Sequence, residues 1–183
     1  MARLFIVLLL LPQLVLAGHL TESQLKVFYT VYAVAKQYKA KDGMTFEKTA
    51  TAICLRESSL GDQLIGDNEE HNLSKASLGI TQIRPETARL VINRFSYLAR
   101  RYGYMLRNSK FLVSALLHDD KFAATITVHY LIMNYEEALD RNMWNPWFKT
   151  VSKYNGGWTN LVYVHKVQKE HGCTIYVRFA YWT

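Results

Sequence analysis

From Thr21 onward the chain reads as one helix after another. Apolar residues return at spacings of three and four, and most stretches open or close on a residue able to start or stop a helix. Thr21 followed by Gln24 has the form of a capping box, with Leu25, Phe28, Tyr29, Tyr32 and Ala35 at helical spacing behind it. Thr45 can cap a second helix that runs to about Leu60 and stops at Gly61. Pro85 fits the first position of a third, spanning 85–102 before Gly103. Asp120 can cap a long helix through Phe122, Ile126, Tyr130, Met133 and Ala138, and Pro146 opens a short one. Residues 154–157, Tyr-Asn-Gly-Gly, make a turn, and 161–169 is helical again. Only 174–183, rich in aromatic and β-branched side chains, reads as extended. Irregular loops are expected at 61–77 and 103–109. No repeat and no low-complexity linker interrupts the pattern. The expected fold is all-α or mostly α, in one domain over residues 18–183.

Half of the 183 residues are hydrophobic and a fifth are charged, which excludes a disordered tail, a collagen-like fibre and a disulfide-stapled mini-protein. A formal net charge of +7 points to an anionic partner without choosing among nucleic acid, membrane and acidic polymer. Residues 1–17 have the pattern of a secretory signal peptide: Arg3, an apolar run over 4–11, and small residues before a cut at Gly18. The other reading of that segment is an uncleaved N-terminal anchor. Export to the periplasm or beyond is the expectation, and the signal peptide, with no basic-aromatic motif present, argues against nucleic acid. Cys54 and Cys173 would then meet an oxidising compartment, either bridged or as two separate thiols with Cys54 in the core.

One residue breaks the pattern of its helix. Phe46, Ala50, Ile53 and Cys54 precede Glu57 by 11, 7, 4 and 3 residues, spacings that return to one helical face. Glu57 therefore falls on the apolar stripe, in the last turn, where desolvation and the helix dipole both raise a carboxyl pKa. A carboxylic acid kept partly protonated is suited to general acid catalysis. A Glu at the edge of the stripe, its head in water or on Arg56, is the other reading.

Three short motifs follow in order: Glu57-Ser58; Ser77-Leu78-Gly79-Ile80-Thr81-Gln82-Ile83; and Lys153-Tyr154-Asn155-Gly156-Gly157. Together they resemble the soluble lytic transglycosylase domain of the goose-type lysozyme-like superfamily, over residues 45–169. Thr81 stands where that family usually has Met, and Lys153 where it has Ala. The segment around Tyr163 is similar to the family helix that brings a further Tyr toward the catalytic Glu. The resemblance implies a lysozyme-like fold with Glu57 as the single acid/base. It implies a sugar-binding cleft lined by Ser58, Gly79, Gln82, Tyr154, Asn155 and Tyr163. Gly79 would admit backbone close to a saccharide, and Gln82 would offer a donor and an acceptor. Both Tyr can equally be core residues with satisfied hydroxyls.

Most glycosidases carry a second carboxylate ~5–9.5 Å from the acid, and Asp62, Asp67, Glu69, Glu70 and Glu86 are candidates here. The resemblance implies that none is needed. The implied reaction is lytic cleavage of peptidoglycan glycan strands, with a hydrolase or a non-catalytic wall-binding module as alternatives. A monomer is expected, recruited in one version of the reading, by analogy alone, by a secretion, conjugation or phage-like envelope machine. No metal or cofactor is expected: the sequence has neither His-Glu-x-x-His nor Cys-x-x-Cys, and His118-Asp119-Asp120 reads as a helix start. Ser58 lacks the elbow motif of a triad serine. The Arg100-Arg101 pair with Arg107 reads as a solvated helix face, the other reading being a basic patch that meets the anionic stem peptides of a cell wall.

Overall fold

The computed structural model describes residues 20–66 and 72–180, the stretch 173–180 in backbone only. The expected signal peptide, Asp67, Glu69 and Glu70 lie outside the described residues. Among the described residues the chain is all-α: α1 (Glu22–Ala35), α2 (Glu47–Ser58), α3 (Pro85–Arg94), α4 (Ser96–Leu106), α5 (Ser109–His118), α6 (Asp120–Asp140), α7 (Pro146–Tyr154) and α8 (Leu161–Ala180). None of these helices is long and apolar enough to cross a membrane.

Helix α6 organises the rest. Every residue from Phe122 to His129 is buried, and a helix buried on all sides belongs inside a domain rather than on its surface. It separates two packed clusters. Ala124, Val128, Leu131 and Tyr135 face the first, built from α1, α2, α7 and α8 around Phe28, Val31, Phe46, Ile53 and Val164. Phe122 and Ile126 face the second, built from α3, α4 and α5 around Ile92, Leu98, Leu112 and Leu116. Phe95 and Tyr154 pack against both clusters. Each large apolar side chain buried this way contributes ~1.5–3 kcal/mol of transfer free energy.

Several helix boundaries follow the local chemistry. The α1 capping box forms: Gln24 N–H donates to the Thr21 hydroxyl at 3.2 Å, and Thr21 N–H to the Gln24 amide oxygen at 2.9 Å. Pro85 and Pro146 both sit in first turns, and Asn145 caps α7 by accepting from Phe148 N–H at 3.1 Å.

Others differ from the sequence expectation. Helix α2 starts after Phe46, with no side-chain cap from Thr45. The single helix expected over 85–102 is two, because Phe95 is extended (φ −109°, ψ 111°). Its ring sits between the clusters against His129, at 4.9 Å between centroids, so packing breaks the helix where no Gly or Pro marks it. The loop expected at 103–109 is mostly helix. Gly103 lies inside α4 in open space, and Asn108 caps α5 by accepting from Lys110 N–H at 3.0 Å. Asp119, not Asp120, caps α6, accepting from Phe122 N–H at 2.9 Å. The C-terminal stretch expected to be extended continues α8 to Ala180. After Pro146 the chain contains no proline to stop it, and an established helix propagates more easily than it starts. Cys54 is a free, fully buried thiol whose pKa burial pushes up to about 12, which is the core-hydrophobe reading. The Cys173 side chain lies outside the described residues.

Candidate active site

Glu57 occupies the last turn of α2, and the chain reverses immediately after it. Ser59, Leu60 and Gly61 all take positive φ (52°, 59° and 97°), an arrangement that costs a non-glycine residue ~1–2 kcal/mol each. Ser58 supports this reversal. Its hydroxyl donates to the Ile80 carbonyl at 2.6 Å, with the Cys54 carbonyl farther off at 3.2 Å, and accepts from Gly61 N–H at 2.9 Å. Ser58 is 1% exposed. Its hydroxyl is committed to backbone and faces protein rather than a cleft; its part is to fix where α2 ends.

The segment pinned by Ser58 is a compact ladder. Leu78 pairs antiparallel with both Ile65 and Ile83, and Gly79 N–H donates to the Leu64 carbonyl at 2.7 Å. Gly79 has φ +74°, and a Cβ there would lie 2.0 Å from the Leu116 carbonyl oxygen at the end of α5. The close approach that requires glycine is to this protein's own α5 backbone. Gln82, also at positive φ (53°), donates its amide N–H groups to the carbonyls of Gly79 (2.9 Å) and Gln63 (3.0 Å). Its amide nitrogen closes the loop on itself.

The other wall comes from α7 and α8. Tyr154 ends α7 and donates its hydroxyl to the Thr81 carbonyl at 2.7 Å. Its ring lies parallel to that of Tyr163, 6.4 Å away at an interplanar angle of 6°. Gly156 and Gly157 supply the positive φ (104° and 105°) that turns the chain into α8, and Asn160 accepts from Tyr163 N–H at 3.1 Å at its first turn. The Asn160 amide donates to the Asn155 carbonyl, and its nitrogen lies 3.4 Å from Asn155 Oδ1. That orients the Asn155 side chain so that its own N–H groups remain for Glu57.

Glu57, Asn155, Tyr154 and Tyr163 therefore meet. Burial raises the Glu57 pKa; the Tyr163 hydroxyl, the Arg56 guanidinium and the Asn155 amide partly oppose it. The Tyr163 hydroxyl is buried with no partner in hydrogen-bonding geometry, so its contact with Glu57 is a close approach and not a formed bond. Burial and the negative Glu57 hold both tyrosine pKa values well above 10. They remain neutral hydroxyls. No second carboxylate acts on Glu57 among the described residues. Asp62 instead accepts from Gln24 at 2.9 Å, beside the start of α1. No metal-binding cluster of His, Cys, Asp and Glu occurs among the described residues.

Neither family models, nor curated proteins, nor solved structures give a match to this chain. The site's own chemistry is one half-buried carboxyl of raised pKa, with the Tyr163 hydroxyl, the Arg56 guanidinium and the Asn155 amide beside it, at a strained helix end.

Two contributors escaped the sequence reading. Thr127 on α6 donates its hydroxyl to that of Thr81 at 2.7 Å, so Thr81 is held by α6 on one side and by Tyr154 on the other. Tyr130 lies 5.7 Å from the Tyr154 ring. Thr127, Tyr130, Asn134 and Glu137 recur at three- and four-residue spacing on α6, a polar stripe on an otherwise apolar helix that could have marked them. Lys153 points elsewhere: it pairs with Glu137 at 2.5 Å and lies 4.1 Å from the centre of the Trp158 ring.

Proposed function

We propose that this chain is an exported, monomeric lytic transglycosylase of lysozyme-like fold, acting on peptidoglycan with Glu57 as its only acid/base. The observation that carries the reading is the surrounding of Glu57: a half-buried carboxyl of raised pKa beside the Tyr163 hydroxyl, the Arg56 guanidinium and the Asn155 amide, with no second carboxylate acting on it among the described residues. Such a carboxyl can hold a proton and deliver it, and among the described residues no neighbouring anion is placed to trap an oxocarbenium ion as retaining glycosidases do. In the proposed reaction, as the motif resemblance implies, the substrate supplies that group. Protonated Glu57 gives its proton to the glycosidic oxygen while the muramyl acetamido oxygen assists departure of the leaving sugar. The resulting carboxylate removes the proton of the muramyl 6-hydroxyl, which closes on C1 as a 1,6-anhydro ring. The proton returns to Glu57 and no water is consumed. Asn155 and the Tyr163 hydroxyl steady the carboxylate between the two transfers. The motif resemblance supports the substrate class, and recruitment by an envelope machine rests on it alone.

The test is mass spectrometry of sacculi digested with the purified protein. Soluble muropeptides with 1,6-anhydro ends are expected. Reducing ends would make the protein a hydrolase, and binding without release of fragments would make it a wall-binding module.

A further inference from the structure

The positive charge of this molecule sits in one place. Residues 84–118, which form α3, α4 and α5, hold seven Arg and Lys against one acid, Glu86, a net of +6. Without residues 1–17 and their Arg3, the chain also carries a net of +6, so everything outside 84–118 sums to zero. The excess is displayed, too. On α4 and at its C-cap, Tyr97, Arg100, Arg101, Tyr104 and Arg107 share one helical face, all exposed, with no acid on that helix. Among the described residues no carboxylate pairs with Arg100, Arg101 or Arg107. Tyr104 is 60% exposed, Phe111 on α5 57% and Leu90 on α3 54%, on helices that pack against one another.

We propose that the α3–α5 face docks on an anionic phospholipid bilayer. Charge alone would suit any polyanion, but the exposed Tyr104, Phe111 and Leu90 distinguish among them. Sugar rings and nucleobases of a hydrated polymer can stack on Tyr104 and Phe111 but gain little from an aliphatic Leu90, whereas a bilayer takes all three into its headgroup region while arginines meet lipid phosphates. Tyrosine, with an apolar ring and a polar tip, is suited to that boundary. None of these residues is among those around Glu57, and α2 packs on α1, α6 and α8, so docking does not depend on the glycan-cleaving reading.

The test is co-sedimentation of the full chain with vesicles of one-third phosphatidylglycerol in phosphatidylcholine, against pure phosphatidylcholine. Strong binding to the first, weak binding to the second and release by salt are expected. The triple variant R100Q/R101Q/R107Q should bind on the order of a hundredfold more weakly, since each basic residue at an anionic surface contributes roughly a fivefold factor. Tyr104→Ala with Phe111→Ala should weaken binding several-fold even at high salt. These side chains are exposed, and circular dichroism should show unchanged helix. Binding that survives the triple variant overturns the proposal, because residues 1–17 or another surface would then be responsible. Equal affinity for heparin or duplex DNA, insensitive to Tyr104 and Phe111, also overturns it in favour of a soluble polyanion.

Discussion

Replacing Gly79 by Ala separates two explanations for that glycine. The sequence alone suggests that it clears space for a saccharide. In the structure the space is filled: a Cβ would stand 2.0 Å from the Leu116 carbonyl oxygen, and φ is +74°. Forcing an L-residue into a left-handed conformation costs ~1–2 kcal/mol. Overpacking against a backbone that must move adds ~1–3 kcal/mol. Together they give about 2–5 kcal/mol, which in a domain of this size lowers Tm by roughly 4–20 °C. Gly43 is the internal control. Its φ is +89° but nothing lies within 4 Å of an added Cβ, so Gly43→Ala pays only the conformational part. Calorimetry of both variants should show a much larger fall in Tm for Gly79→Ala. Equal falls would refute the steric argument. A Gly79→Ala variant with unchanged Tm but no glycan cleavage would return the glycine to the ligand.

Three further substitutions probe the site and its supports. Glu57→Gln should cut glycan cleavage ~10²–10⁴-fold while the fold persists. Because burial raises the folded pKa above 4.5, the unfolded chain ionises first as pH rises, and ionised Glu57 costs stability from there upward. Denaturant titrations should accordingly show Glu57→Gln gaining on the wild type above pH 4.5; a constant gap would contradict the burial. Ser58→Ala leaves the Ile80 carbonyl and Gly61 N–H without their partner and should cost ~1–3 kcal/mol in chemical denaturation, whereas a negligible change would mean the helix end needs no pin. His129 is buried, its Nδ1–H donated to the Thr125 carbonyl at 2.6 Å and its ring 4.4 Å from that of Tyr38. Burial lowers its pKa from 6.5, so its contribution is intact above 6.5 and is lost as pH falls through the folded value; His129→Phe should flatten the acid side of the stability curve, and an unchanged slope would count against this.

The sequence made helices legible wherever local chemistry decides them. Thr21, Pro85 and Pro146 start helices because a side-chain acceptor or a fixed φ is a property of one or a few adjacent residues. It misled elsewhere: Phe95 breaks a helix by filling the space between two clusters, and Gly103 continues one because it does not take the left-handed conformation that ends a helix. At the site, the position of Glu57 on its apolar stripe did forecast a partly buried carboxyl of raised pKa. The parts of Ser58, Gly79 and Gln82 were not legible. Each is spent on a backbone group distant in sequence, on Ile80, Leu116 and Gln63 respectively. Periodicity carries no information about such partners.

The burial of Phe122–His129 without a gap has a consequence for how this chain can change. An ordinary surface helix offers drift a solvent side, so tolerated substitutions recur about every third or fourth position. Here two opposed cores take every side of α6 over those eight residues, Thr125 and Thr127 included. A scan of all single substitutions should therefore find an unbroken block of intolerance with no helical rhythm, giving way to alternation only from Tyr130 onward, where exposure returns. The helix that holds the molecule together is also the one along which its sequence is least free to wander.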